Sequence, residues 1–121
     1  MVITKEREIF KFRVGINECD PYKIVHNSMY FTYFEEGIVY RLIGREILAY
    51  GSKKPFKILQ SRCRYIRSAK YDDELTLKTE IKKDDANQNL IKVSQKLVDS
   101  SNRIISICKS LVKIDNERII L

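Results

Sequence analysis

The sequence predicts an α+β domain in which one antiparallel sheet of five strands is wrapped around one long central helix. Residues 29–40 are apolar on nearly every side and contain no proline, which is typical of a buried helix. One strand-like segment precedes this helix and four follow it, each with apolar residues at alternate positions. A curled sheet can cover such a helix on all sides, whereas a flat two-layer packing could not. Because the chain has 121 residues, a single domain over residues 1–121 is expected.

The first strand and the loop after it come before the helix. The strand is expected within residues 2–14, where Phe10 and Phe12 alternate with the charged Lys11 and Arg13. Residues 15–25 contain Gly, Asn, Asp and Pro without a period, which predicts an ordered loop.

The helix should be capped by Asn27 or Ser28, because either side chain can accept a hydrogen bond from a first-turn N–H. A short helical or irregular segment over residues 45–50 should follow, and then a turn at Gly51-Ser52 and Pro55.

Four strands joined as a meander should complete the sheet, over residues 56–68, 74–83, 90–98 and 103–114. One face of the last strand is a strip of small and apolar residues against which the helix could lie closely: Ile104, Ser106, Cys108, Ser110, Val112 and Ile114. The sheet edges and an incompletely covered helix predict at least a dimer.

The composition excludes several classes of protein. With 44% hydrophobic and 32% charged residues, it is typical of a soluble globular domain. The three cysteines form no CxxC or Cys/His pair, so no metal site is expected and a reduced, cytoplasmic protein is favoured. No segment is long and apolar enough to span a bilayer. The net charge of +7 favours anionic partners. The basic residues are scattered along the sequence, however, and nucleic-acid binding is not expected.

Polar groups concentrate before the helix, in the segment ECDPYKIVHNSMYFTYFEEG. Asp20 lies seven residues before Asn27, where the backbone becomes helical. The unsatisfied N–H groups and the positive end of the dipole at a helix N-terminus can hold the oxyanion that forms when a carbonyl is attacked. A carboxylate opposite such a site supplies the second half of what acyl transfer requires. An alternative is that Asp20 only opens a turn, since Asp-Pro is common in turns.

The stretch DPYKIVHNSMYFTYFEEG resembles the active-site segment of hotdog-fold acyl-CoA thioesterases, in particular the 4-hydroxybenzoyl-CoA thioesterase-like group. The matching positions are Asp20, Ile24-Val25, Tyr30 and Phe34-Glu35-Glu36, and AKYDDELTLKTEI is similar to the family's strand-opening segment. The resemblance covers essentially the whole chain. It implies hydrolysis of the thioester of a small or medium acyl-CoA or acyl-carrier-protein substrate, without a cofactor.

The resemblance also implies roles for individual residues. In the family the loop aspartate is the nucleophile or general base, which is Asp20 here. The backbone N–H seven residues later polarises the thioester carbonyl, and here it belongs to Asn27. His26, Tyr30 and Glu35 are expected to contact the substrate, and Glu35 is a second candidate for the catalytic carboxylate.

The chain departs from the family pattern at three loop positions and in one hairpin. Glycine is common at the position of Lys23, Tyr or Trp at that of His26, and His at that of Asn27. Asp84-Asp85 interrupt a hairpin in which some relatives carry arginines that meet CoA phosphates. The phosphates would then be bound elsewhere, or the thiol belongs to a carrier protein.

Two other functions stay open. A hotdog dehydratase would pair His26 with Glu35 or Glu36, although such enzymes usually have a Pro-Gly-rich helix start, which HNSMYF lacks. A non-catalytic hotdog module would use the positive charge on nucleic acid or on an acidic carrier protein. In every case a homodimer or homotetramer is expected.

Overall fold

The computed structural model describes residues 9–43, 56–87 and 89–114, which form a five-stranded antiparallel sheet and one long helix. The elements are β1 (Ile9–Arg13), a 3₁₀ turn (Ile16–Glu18), α1 (Asn27–Ile43), β2 (Phe56–Tyr65), β3 (Glu74–Lys83), β4 (Leu90–Val98) and β5 (Ile104–Ile114). The predicted architecture is confirmed. The segment expected over residues 45–50, the turn at Gly51-Ser52 and Pro55 lie outside the described residues.

The strand order is β1-β3-β4-β5-β2, so the predicted four-strand meander is wrong. Only β3, β4 and β5 follow one another as neighbours, and β2 pairs with β5 at the far edge. The place beside β3 is taken by β1, where Phe10 and Phe12 lie opposite Leu77 and Leu75. Alternation of apolar residues shows which side of a strand is buried, but it does not identify the neighbouring strand.

The core lies between α1 and the inner face of the sheet. Its fully buried sheet residues include Leu75, Leu77, Ile91, Val93, Leu97 and Val112. The helix contributes Tyr30, Tyr33, Phe34, Ile38, Val39 and Leu42. Burial of this apolar surface is the main stabilising contribution to the fold.

Gly37 marks the closest approach of the helix to the sheet. A Cβ at this position would lie 2.2 Å from Leu77 Cδ2 and 2.9 Å from Gln95 Nε2, so only glycine fits without a shift. Gln95 Nε2 donates to the carbonyl of Phe34 at 2.9 Å and to Thr79 Oγ1 at 3.1 Å, which ties the helix to β3 and β4. The helix therefore lies closest to β3 and β1, and not to the small-residue strip of β5.

The sheet does not cover the whole helix within one chain. Phe31 is 50% exposed and Thr32 beside it is also exposed. The expected burial of α1 on every side is therefore incomplete, and the apolar side chain of Phe31 faces solvent. Among the described residues, no helix combines the length and apolar character needed to cross a membrane.

Two of the three cysteines are joined. Cys63 on β2 and Cys108 on β5 lie directly opposite each other, with Cα atoms 4.1 Å apart, and form a disulfide. The sequence analysis favoured reduced cysteines, because residues 45 positions apart give no sign of pairing until β2 is placed beside β5. Cys19 is free and half-buried.

Candidate active site

The loop before α1 folds back on itself as a narrow hairpin. Cys19 and Val25 form an antiparallel bridge. On one side of this bridge the Asp20 N–H donates to the Ile24 carbonyl at 2.8 Å, and on the other the His26 N–H donates to the Glu18 carbonyl at 3.0 Å. These bonds fix Asp20 opposite Ile24. Ile24 lies three residues before Asn27, where the helix begins.

The carboxylate of Asp20 is held by its own loop. Its Oδ1 accepts the N–H groups of Tyr22 at 2.8 Å and Ile24 at 3.1 Å. Oδ2 accepts no hydrogen bond within the described ranges, so the carboxylate is oriented while one oxygen stays available. The interpretation of Asp20 as a turn former and its interpretation as a reactive group are therefore compatible, because each uses a different oxygen.

Lys23 has a φ of 64°, in the left-handed region that favours glycine. Its N–H donates to the Asp20 carbonyl at 2.9 Å and closes the turn. The glycine common at this position in the family satisfies the same backbone requirement, so the departure at Lys23 leaves the turn intact at some cost in strain.

The helix begins at Asn27. The carbonyl of His26, just before it, accepts the N–H of Met29 at 2.9 Å. Neither Asn27 nor Ser28 makes a side-chain hydrogen bond in the part of the chain that is described, so the expected side-chain cap is not observed. Both residues are exposed, and the Asn27 N–H likewise has no partner among the described residues. A first-turn N–H at the positive end of the helix dipole is therefore available to an acceptor.

Tyr30, on the first turn of the helix, forms an aromatic wall of the candidate site together with Tyr65. It is only 2% exposed, and its hydroxyl oxygen accepts the Ala69 N–H at 3.0 Å. Its ring centroid lies 5.3 Å from that of Tyr65 and 6.0 Å from that of Tyr33. Burial raises the pKa of Tyr30, so the phenol keeps its proton at neutral pH. The hydroxyl hydrogen can still donate to a second acceptor.

The sequence analysis missed the pairing of Glu18 with Tyr33. Tyr33 donates its hydroxyl hydrogen to Glu18 Oε1 at 2.6 Å, and the Gly15 N–H donates to the same oxygen at 3.1 Å. Burial, together with the hydrogen bond and the charge of Glu18, raises the pKa of Tyr33 well above its ordinary value. This bond clamps the start of the loop to the first turns of the helix. No sequence pattern links two polar residues separated by 15 positions.

The other predicted site residues lie further from the loop or from each other. His26 is exposed, and only its backbone takes part in the loop pairing. Glu35 is half-buried and lies eight residues after Asn27, which is about 12 Å along the helix axis. The structure therefore brings Asp20 and Asn27 to one end of the helix but does not bring His26 and Glu35 together, as a dehydratase pair would require.

Cys19 is not suited to be the nucleophile. Burial raises the pKa of its thiol, and the negative charges of Glu18, Asp20 and Asp73 raise it further. The thiolate is the reactive form, so the surroundings suppress it. Three or more His, Cys, Asp or Glu residues do not cluster as a metal site anywhere in the described residues.

Sequence comparison places the chain in a family. Residues 14–118 match the sequence model of the thioesterase-like superfamily. The chain belongs to this superfamily. Its class of activity is therefore that of a thioester hydrolase, and the resemblance seen in the loop and helix is confirmed. No protein with curated annotation matches the sequence significantly.

Solved structures of thioesterases have the same hotdog fold. A probable thioesterase from Bartonella henselae is 22% identical with a TM-score of 0.71, and the match covers 93% of this chain and 96% of that one. The probable thioesterase YbaW from Escherichia coli is 18% identical with a TM-score of 0.71, covering 91% and 84%. A DHNA-CoA thioesterase from Staphylococcus aureus is 13% identical with a TM-score of 0.71, covering 93% and 78%. At these identities the similarity establishes the fold.

Proposed function

We propose that this superfamily member hydrolyses the thioester of a small or medium acyl-CoA or acyl-carrier-protein substrate, with Asp20 and the Asn27 amide as its catalytic groups. One observation carries the proposal. Among the described residues, the folded loop anchors Asp20 through Oδ1 only and the Asn27 N–H at the start of the helix has no partner. An oriented carboxylate and an oxyanion donor then serve the same carbonyl group.

The reaction follows from these two groups. The thioester carbonyl oxygen accepts the Asn27 N–H, and the helix dipole stabilises the negative charge that develops there. Asp20 Oδ2 either attacks the carbonyl carbon, so that water later cleaves the acyl anhydride, or takes a proton from the water that attacks. In both routes the C–S bond breaks and the thiolate leaves. A thiolate is a good leaving group, so no strong general acid is required.

The remaining predicted residues shape substrate binding in this proposal. Tyr30 and Tyr65 form an aromatic wall beside the loop, against which an acyl group can pack. His26 is exposed next to the helix start, which supports its proposed contact with the polar part of the thioester arm. Glu35, further along the helix, is the second candidate for the catalytic carboxylate.

A homodimer or homotetramer is part of the same proposal. The β2 strand is an edge of the sheet, and its exposed Leu59 and Tyr65 lie along that edge. On the helix, the apolar side chain of Phe31 is half exposed. Unpaired edges with exposed apolar side chains are commonly covered by a second copy of the chain.

Release of free thiol tests the function. The purified protein would be offered acyl-CoA substrates of increasing chain length, aromatic acyl-CoA substrates and acylated carrier protein, beside the Asp20→Asn variant. We expect thiol release by the wild type from at least one substrate class, and its loss in the variant. A wild-type protein that releases no thiol from any of them would refute the proposal in favour of a binding module.

A further inference from the structure

The positive charge that is scattered along the sequence gathers on one face of the fold. Alternate residues of β2 to β5 are buried against the helix, so the residues between them lie on the outer face of the sheet. Nine exposed cationic residues occupy these positions on the described parts of these four strands. We refer to six of them, which lie together over the middle of the sheet, as the basic face: Arg62, Lys78, Lys82, Lys92, Lys96 and Lys109. The only acidic residue within these rows is Glu80.

The strand register places like charges directly opposite each other. Lys78 pairs with Lys96, Lys82 with Lys92, and Arg62 with Lys109. Like charges in directly opposed cross-strand positions destabilise a sheet. No salt bridge within the described ranges involves the basic face, since the pairs found there join Arg13 to Asp72 and Glu74 and Arg103 to Asp99. Three repulsive pairs on one surface, with Glu80 as the single acidic residue among them, are unfavourable for the chain alone and are relieved by an anionic partner.

The dimensions of the basic face limit the size of its partner. It extends about 13 Å along the strands, from Lys78 to Lys82, and about 14 Å across the sheet from β3 to β2. A concave region of about 500 Å³ opens between its side chains at the end nearest Lys96. An α-helix is about 10–12 Å wide, so two to three turns of an acidic helix would cover this face.

The chemistry of the face favours a protein partner. The residues between the cations are Gln60, Ser94, Ile107 and Leu111, and none is aromatic, so single-stranded nucleic acid would find no stacking platform. Membrane-surface binding commonly inserts exposed Trp, Phe or Leu side chains beside the basic residues. The apolar residues here, Ile107 and Leu111, are half-buried, and none of the four is aromatic. A second copy of the chain would be repelled, because it would present the same positive charge.

The basic face adjoins the candidate active site across β2. Arg64 extends it by one position and lines the same concave region. The next residue is Tyr65, whose ring lies 5.3 Å from that of Tyr30 in the wall of the site. A partner seated on the face is thus placed near the end of β2 where Tyr65 contacts Tyr30 in the wall of the site.

We propose that the basic face docks an acidic acyl-carrier protein, which presents its acyl thioester to the loop past the end of β2 at Tyr65. This inference rests on the proposed thioesterase function for the delivery of substrate, whereas the docking itself does not require catalysis. Electrostatic complementarity of this kind raises association rates and weakens with salt.

The test separates docking from hydrolysis. The probe is an acyl-carrier protein without an acyl group, titrated into isotope-labelled protein at low and high salt while backbone amide shifts are followed by NMR. The test variant is Lys109→Glu. The matched control is Lys83→Glu, an equal change of charge at an exposed position whose side chain lies on the opposite side of the sheet.

We expect shifts on β3 to β5, a dissociation constant raised about tenfold in Lys109→Glu and less than about twofold in Lys83→Glu, and weaker binding at high salt. Thiol release from acyl-CoA should be unchanged in Lys109→Glu, while kcat/KM for acyl-carrier protein falls. Absence of binding, equal binding by both variants, or tighter binding of duplex DNA or phosphatidylserine vesicles to the same face would overturn the inference. Docking without thiol release from any substrate would refute the proposed function and leave the docking surface supported.

Discussion

Replacing Gly37 with alanine should lower the free energy of unfolding even though it introduces a better helix former. The new Cβ would lie 2.2 Å from Leu77 Cδ2, whereas carbon atoms in favourable contact lie about 3.5–4.0 Å apart. Leu77 is fully buried and cannot turn away into solvent. The second contact, 2.9 Å from Gln95 Nε2, falls on a side chain already used to hold the helix.

The magnitude follows from two opposing effects. Overpacking of a filled core destabilises by about 1–3 kcal/mol, and a contact this short belongs at the upper end. The change from glycine to alanine within a helix stabilises by about 1 kcal/mol. The free energy of unfolding should therefore fall by about 1–2 kcal/mol in Gly37→Ala. Thr32→Ala, at an exposed position of the same helix, should instead raise it by about 0.5 kcal/mol.

Urea unfolding followed by circular dichroism measures both variants. A double variant that also carries Leu77→Val identifies the cause, because shortening Leu77 makes room for the new methyl group. The cost of the double variant should be smaller than the sum of the two single costs by about 1 kcal/mol. An unfolding midpoint for Gly37→Ala at or above that of the wild type would refute the close helix–sheet contact.

Three further outcomes concern the buried hydrogen bonds. Tyr30→Phe should lower the free energy of unfolding by about 1–3 kcal/mol in urea titrations, because it leaves the Ala69 N–H without its acceptor; an unchanged midpoint would contradict this. Tyr33→Phe should leave the Gly15 N–H as the remaining observed donor to Glu18 Oε1 and so increase hydrogen exchange in the loop; unchanged exchange would show that the Tyr33 bond is not needed. Hydrogen bonds from the N–H and side chain of Arg103 and the N–H of Ser101 lower the pKa of Asp99 despite its burial. Its stabilising contribution is complete above the ordinary aspartate pKa and is lost as the pH falls through the lowered pKa, so the stability advantage over Asp99→Asn should disappear in acid; a pH-independent difference would argue against it.

Much of the fold could be predicted from local pattern. The bounds of β3 and β4 match the predicted ranges, because alternating apolar residues between polar turns define a half-buried strand without reference to its neighbours. The position of β2 could not be predicted in this way, since pairing with β5 depends on the path of the chain after the helix. The Cys63–Cys108 disulfide could not be predicted for the same reason, because it depends on β2 lying beside β5.

The candidate site was only partly readable from the sequence. The spacing of Asp20 and Asn27 predicted a carboxylate near a helix start, and the resemblance gave it a chemical role. Asp20 uses Oδ1 to hold the loop and leaves Oδ2 without a hydrogen bond among the described residues. This arrangement depends on a turn closed by Lys23 at a positive φ, which no spacing rule indicates. The hydrogen bond between Tyr33 and Glu18 could not be predicted from the sequence either. The basic face was missed because its members alternate with buried residues on four strands and meet only once the register is set.

The most direct measurement of the central claim is kcat for thiol release by Asp20→Asn, compared with Glu35→Gln. Asparagine retains an Oδ1 that can accept the Tyr22 and Ile24 N–H groups, so the loop should keep its fold while the reactive carboxylate is lost. Circular dichroism and unfolding midpoints would verify that both variants stay folded. We predict that kcat falls by about 10²–10⁴-fold in Asp20→Asn and stays within a few-fold of wild type in Glu35→Gln. Retained activity in a folded Asp20→Asn protein, with loss in Glu35→Gln, would contradict the assignment of the reaction to the loop.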